Sequence, residues 1–159
     1  MNLLFVCTGN TCRSSMAEAL ARKILEERPA GLENISVSSA GVAAWPGAPA
    51  SAEAVEALAG MGVDLQEHRA TRLTPETACE AGLILTMTRD HRDYILNAYP
   101  QTAGKVLTLA EFAGSGGDVN DPAGRPLEVY RNCAESLEGL IKRAFAKLRA
   151  KRTGLFDQN

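Results

Sequence analysis

The sequence has no long hydrophobic run. No window approaches the ~18 apolar residues that a membrane-spanning helix needs, so a helical membrane protein is not expected. A basic excess is missing too: 17 Lys and Arg stand against 19 Asp and Glu, for a formal net charge of −2. Nucleic-acid binders carry a basic domain or stripe, so no nucleic-acid partner is expected. Cysteine is scarce. Cys7, Cys12, Cys79 and Cys133 are four in 159 residues, too few for a disulfide scaffold. They are expected to be thiols, and any special one to be reactive rather than structural. The apolar stretch Leu3–Val6 has no basic segment before it and no cleavage site after it. It reads as a buried strand rather than a signal peptide, and the protein as cytoplasmic. Internal repeats and low-complexity linkers are absent as well.

What is present is the composition of an ordinary globular domain, 45% apolar and 23% charged. A chain of this size buries about 68–70% of its unfolded surface, enough for one core without metal or disulfide staples. One domain is therefore expected over residues 1–159, with the basic-then-polar tail Lys151–Asn159 as the disordered candidate.

Strand-length apolar runs alternate with stretches of helical period. Leu3–Val6, Ile35–Ser39, Gly82–Met87 and Val106–Leu109 read as strands. Ser14–Arg28, Ser51–Met61, a brief turn opened by Thr74-Pro75-Glu76, Asp90–Ala98 and the long Pro126–Lys151 read as helices. Met16, Leu20 and Ile24 recur four apart on the first helix, whereas Val55 and Leu58 point the second inward. The almost wholly apolar GLILTM at 82–87 suits a strand covered on both sides. Four strand–helix alternations predict a four-stranded parallel α/β sheet with helices on both faces. Ligands of such sheets bind at the carboxyl ends of the strands, so the loop after the first strand is the place to look.

That loop reads Cys7-Thr8-Gly9-Asn10-Thr11-Cys12-Arg13-Ser14. Five residues between a cysteine and an arginine, at a strand-to-helix junction, can curl so that their backbone N–H groups converge on one oxyanion. The following helix aims its positive end at the same point. Gly9 is expected to supply unusual dihedrals, and Asn10 tolerates the left-handed region. Arg13 offers a planar fork for two phosphate oxygens. Cys7, at the rim of a positive pocket, is favoured as a thiolate aimed at phosphorus, which points to catalysis through a phosphocysteine. Ser14 is placed to steady that sulfur with a hydroxyl hydrogen bond.

Residues 7–14 resemble the signature loop of the low-molecular-weight protein tyrosine phosphatase family, and the resemblance runs over roughly residues 1–150. Ser38-Ser39-Ala40-Gly41, Trp45 with Gly47-Ala48-Pro49, Glu67-His68 and Ile84-Leu85-Thr86-Met87 are similar to family segments. Asp121-Pro122 stands where the family places its general acid. The resemblance implies a phosphatase without metal or cofactor, with Cys7, Arg13 and Asp121 catalytic. It further implies a supporting hydrogen-bond net joining His68 to Asn10, Ser14 and Ser39. A monomer acting on phosphorylated proteins is expected.

Two features bear on the substrate. Thr11 stands where tyrosine-specific members carry a larger aliphatic residue, and Cys-Thr-Gly-Asn-Thr-Cys-Arg-Ser looks like the bacterial protein-arginine phosphatase branch. A buried hydroxyl that expects a partner discriminates far more strongly than a methylene mismatch. After Asp121-Pro122 come Ala123 and Gly124, where many tyrosine-specific relatives have aromatic residues. Trp45 remains available to line the other side of the substrate, against a ring or a guanidinium. Phosphoarginine is the expected substrate and phosphotyrosine the alternative. An arsenate reductase would need a further close cysteine pair, which Cys79 lacks. A non-catalytic phosphoprotein-binding module would not need the full set Cys7, Arg13 and Asp121. Cys12 lies near enough through the loop to trap an oxidised Cys7 as a disulfide.

Overall fold

A computed structural model describes residues 1–154. Four strands, β1 (Asn2–Cys7), β2 (Ser36–Gly41), β3 (Leu83–Thr86) and β4 (Val106–Thr108), form one sheet in the order β2-β1-β3-β4. Every neighbouring pair is parallel, as the alternating sequence predicts. Among the described residues six α-helices connect or flank them: α1 (Arg13–Glu26), α2 (Ala52–Ala59), α3 (Pro75–Glu80), α4 (Arg89–Ala98), α5 (Leu109–Phe112) and α6 (Leu127–Arg152). The chain leaves β1 toward β2 on one side and returns to β3 on the other. The carboxyl end of β1 is therefore the point where the strand order reverses, the place where open sheets bind ligands.

Strand periodicity explains the two layers. Alternate residues of β1 face opposite ways, so Leu3 and Phe5 enter one core while Leu4 and Val6 enter the other. The first core is the larger and takes the apolar faces of α1, α2, α5 and α6. The second lies under α3 and α4. Apolar residues covered on both sides make β1 and β3 the central strands, and all four residues of β3 are buried. On α2 the inward residues are Ala54, Ala57 and Leu58; Val55 is only half-buried, because an eight-residue helix turns it toward the rim.

Several boundaries differ from the sequence expectation. Leu109, expected in the fourth strand, begins the short α5 instead. Thr108 accepts from the Glu111 backbone N–H and the Glu111 side chain accepts from that of Thr108, a capping box that starts a helix. The first helix ends at Glu26, and Arg28 adopts a φ of 48° that no helix continues through. Lys151, read both as the end of the last helix and as the start of the tail, and Arg152, expected in that tail, belong to the last turn of α6, whose C-terminal end favours basic side chains. Residues 155–159 of that expected tail lie outside the described residues. Among the described residues no helix is long and apolar enough to cross a membrane.

One glycine ties the sheet to the loop that follows β1. Gly41 ends β2, donates its N–H to Thr71 O at 2.9 Å and accepts from Leu73 N at 2.9 Å. A Cβ there would lie 2.5 Å from Thr8 O and 2.9 Å from Asn10 N, both backbone atoms of the loop. Backbone cannot give way as a flexible side chain does, so Gly41→Ala should destabilise the fold by about 1–3 kcal/mol. A thermal melt beside wild type measures this. A Tm within a degree of wild type would show that the loop tolerates the added methyl.

Candidate active site

Asn10 turns the chain. It takes a φ of 58°, the left-handed region that asparagine tolerates better than most residues, and it is fully buried. Gly9 takes no such conformation, and a Cβ there would meet only Thr11 Oγ1 at 3.7 Å, so its expected special dihedrals are not used. The turn works because Asn10 is polar at every end. Its Nδ2 donates to Ser14 Oγ at 2.8 Å and to Ser39 Oγ at 2.9 Å, and its Oδ1 accepts from Thr71 N at 2.9 Å. Its carbonyl lies 2.6 Å from His68 Nε2, and its own N–H donates to Cys7 Sγ at 3.3 Å.

These bonds fix the direction of the one that matters most. Ser14 Oγ lies 2.8 Å from Cys7 Sγ and 3.4 Å from Ala40 O, while it already accepts from Asn10. Its proton is therefore best used on the sulfur. Cys7 then receives two hydrogen bonds, from Ser14 O–H and Asn10 N–H. The net continues outward. Ser39 O–H donates to Glu18 Oε2 at 3.0 Å, and that carboxylate lies 3.8 Å from His68 Nδ1. His68, Asn10, Ser14 and Ser39 thus sit in one hydrogen-bonded cluster, which Glu18 and Thr71 complete.

Helix α1 begins at Arg13 with Cys12 as its N-cap. No side chain caps it, and no acidic residue lies in its first turn. Its free N–H groups and partial positive charge are left for an outside anion. Arg13 is buried, with one guanidinium nitrogen donating to Val119 O at 3.0 Å and another 3.5 Å from Asp121 Oδ2. Asp121 is half-exposed on the loop before α6, where its Oδ1 accepts from Ala123 N at 3.0 Å. The cysteine, the arginine and the acid are therefore brought to one mouth. Thr11, on the same loop, uses its hydroxyl only in a 3.8 Å contact with Cys12 Sγ, which leaves that hydroxyl free for a ligand.

Trp45 does not line an enclosed wall. It is 82% exposed on the loop after β2, a loop that Ala43 N ties to Thr8 O at 2.9 Å. Cys12 is buried among Ser51 Oγ at 3.4 Å and Tyr130 OH at 3.7 Å. Burial, helped by the contact with Cys12, pushes the Tyr130 hydroxyl up to about 12, and burial pushes the Cys133 thiol up to about 11. Both stay protonated at neutral pH. Cys79 lies exposed on α3 beside Gln101. A surface groove of about 760 Å³ runs past Glu18, Ser39 and His68, and neither Cys7 nor Asp121 lines it.

The family model for the low molecular weight phosphotyrosine protein phosphatases matches residues 2–153. The chain belongs to this family. Among relatives it is similar to a protein-arginine-phosphatase of Bacillus subtilis, 42% identical over 153 residues, or 96% of this chain and 99% of that protein. Its structure is similar to that of a low molecular weight protein tyrosine phosphatase from T. tengcongensis, with 45% identity and a TM-score of 0.87 over 92% of this chain and 99% of that one. It is also similar to a YwlE arginine phosphatase whose active-site serine mutant is phosphorylated, with 39% identity and a TM-score of 0.86 over 95% and 96% of the two chains.

Sequence reading missed a histidine in this phosphatase. His91, in the first turn of α4, is buried against the loop with Nε2 2.8 Å from Thr8 Oγ1. No fixed motif offset announces it, since the contact spans 83 positions. Glu18, Thr71 and the Val119 carbonyl escaped for the same reason. Burial, reinforced by the Arg13 charge against the pull of Asp90, Asp118 and Asp121, lowers His91 from 6.5 to about 4. Above pH 6.5 the ring is neutral whether the chain is folded or not. Below that, the unfolded chain takes up a proton the folded one refuses, so stability is full above pH 6.5 and is lost as pH falls toward 4. The span from 6.5 to about 4 sets a ceiling of about 3 kcal/mol for the loss. Denaturant titrations at pH 7 and pH 4.5 should show His91→Gln losing less stability than wild type. An equal loss in both would place the acid sensitivity elsewhere.

Proposed function

We propose that this chain is a metal-independent, cytoplasmic, monomeric protein phosphatase that hydrolyses phosphoarginine through a phosphocysteine. The observation that carries the reading is a sulfur receiving hydrogen bonds from Ser14 and Asn10 at the floor of an amide loop whose Thr11 hydroxyl makes just a long 3.8 Å contact with Cys12 Sγ among the described residues. A similar YwlE arginine phosphatase, phosphorylated on its active-site serine, supports the covalent step. The substrate phosphoryl group fits the loop amides of residues 8–14 and the Arg13 fork. Cys7 sulfur attacks phosphorus, the S–P bond forms and the P–N bond breaks. The departing guanidine is too basic to leave as an anion, so Asp121 gives its proton to that nitrogen. Asp121 then takes a proton from water, the water oxygen attacks phosphorus, and the S–P bond breaks. Phosphate leaves and the thiolate is restored.

Specificity for arginine follows from polarity. Thr11 brings a hydroxyl where a hydrocarbon would suit a phenyl ring, and Ala123 and Gly124 build no aromatic wall. The tyrosine-specific reading retains Trp45, whose side chain is exposed on the loop after β2. Comparing kcat/KM on phosphoarginine and phosphotyrosine peptides decides between them. Wild type should prefer phosphoarginine, and Thr11→Ile should move the ratio toward phosphotyrosine by about tenfold or more, as the loss of a polar match does. A wild-type preference for phosphotyrosine that Thr11→Ile leaves unchanged would remove the arginine assignment. Phosphate release from either substrate should vanish in Cys7→Ser; retained release would instead mark a different nucleophile.

Cys12 follows Cys7 by five residues and shares its buried loop, so we propose it as the resolving thiol when Cys7 is oxidised. Peroxide should then inactivate wild type reversibly, with activity restored by a thiol reductant, whereas Cys12→Ala should recover poorly. Equal recovery would leave Cys12 a packing residue.

A further inference from the structure

Thr8 and His91 form a polar pair at the first corner of the loop, and the reaction scheme above uses neither side chain. His91 is 7% exposed, reaches Thr8 Oγ1 at 2.8 Å through Nε2, and leaves Nδ1 buried without a partner. Thr8 itself is exposed, next to Cys7. The unpartnered nitrogen assigns the tautomer. With the ring proton on Nδ1, a buried N–H would have no acceptor, an arrangement folded proteins rarely tolerate. With the proton on Nε2, that N–H is satisfied by Thr8 and only a lone pair is left bare. Burial, and after it the Arg13 charge, keep the ring neutral, so it carries a single proton at neutral pH.

Thr8 Oγ1 is then an acceptor toward His91. Its own proton and its second lone pair remain for whatever occupies the mouth. A hydroxyl fixed this way meets an N-phosphorylated guanidinium with both hands: its proton suits a phosphoryl oxygen, and its lone pair suits an adjacent guanidinium N–H. An aryl phosphate offers the first partner and not the second. Resting on the phosphoarginine reading, we infer that Thr8 is a specificity-determining residue for the guanidinium N–H, and that His91 is the positioning residue that orients it.

The test measures kcat/KM for wild type, Thr8→Val, Thr8→Ser, His91→Phe and the double variant on phosphoarginine and phosphotyrosine peptides, with the Tm of each. Thr8→Val and His91→Phe should each lose about tenfold on phosphoarginine, the weight of one good hydrogen bond, and at least about fivefold less on phosphotyrosine. Thr8→Ser should recover most of the loss, and the double variant should lose little beyond either single one, because the two act as a unit. Nitrogen chemical shifts of the His91 ring should show the proton on Nε2. Equal losses on both substrates, or a proton on Nδ1, overturn the inference and leave the pair structural. The wild-type substrate ratio reads the underlying assignment separately: a wild type that prefers phosphotyrosine sinks the arginine reading, whereas a wild type that prefers phosphoarginine with unselective variants sinks only the Thr8–His91 role.

Discussion

Asn10 Nδ2 donates to Ser14 and Ser39 at once, while Oδ1 accepts from Thr71. Held on three sides, the amide fixes a left-handed backbone turn that would otherwise be costly, and the turn sets the direction of the loop. The consequences run both ways along the chain. Toward Cys7, the filled acceptor site on Ser14 frees the serine proton for sulfur. Away from it, Ser39 is anchored by Glu18, whose carboxylate also faces His68, and His68 returns to the Asn10 carbonyl. The cluster is closed: each member is satisfied by another, which is the condition under which buried polar groups specify one conformation instead of weakening a core.

Charge is arranged on the same principle. An uncapped helix end and a buried guanidinium are both held against the loop, and among the described residues Asp121 is the carboxylate that pairs with Arg13. That carboxylate is half-exposed and 3.5 Å from Arg13, a distance at which a solvated pair is weakly bound. An arriving phosphate competes for the guanidinium on favourable terms, because it also collects the loop amides. On the proposed reading, Asp121 is released from Arg13 when the phosphoryl group arrives, so the resting contact and the proposed acid role belong to one carboxylate. His91 stays neutral in this setting because burial penalises its charged form and, secondarily, the Arg13 charge opposes another cation beside it.

The parts of this site that were legible in the sequence are those whose chemistry is local. Cys7 through Ser14 announce themselves because strand, loop and helix follow one another within a few residues, and the amide nest is made of consecutive backbone. The parallel sheet was readable for a similar reason, since each strand's burial is written in its own run of apolar residues. Partners brought in from elsewhere were not. Glu18, Thr71 and His91 sit on three different elements, and nothing in their own neighbourhoods marks them. In the sequence Gly41 is the last residue of the family-like segment Ser38-Ser39-Ala40-Gly41; the approach of Thr8 O and Asn10 N shows why nothing larger fits. Gly9 is the reverse case, a glycine in a conspicuous position that neither φ nor crowding requires. The short α5 was written in the sequence as Thr108 and Glu111 three apart, a capping signal outweighed by the apolar run before it.

An active site with no aromatic wall must recognise its substrate from the loop itself. Trp45 stands out into solvent, and the acid's neighbours Ala123 and Gly124 carry no surface to stack upon. What remains at the mouth are two hydroxyls, Thr8 and Thr11, on the same short loop that holds the phosphoryl group. Hydroxyls recognise at hydrogen-bond distance and only from one direction, whereas a ring accepts any flat face. Placing them on the catalytic loop makes recognition and chemistry share one rigid frame: a substrate that satisfies both hydroxyls has its phosphorus over Cys7 by the same geometry. On the proposed reading a planar guanidinium meets that demand because it carries N–H donors, which a phenyl ring lacks.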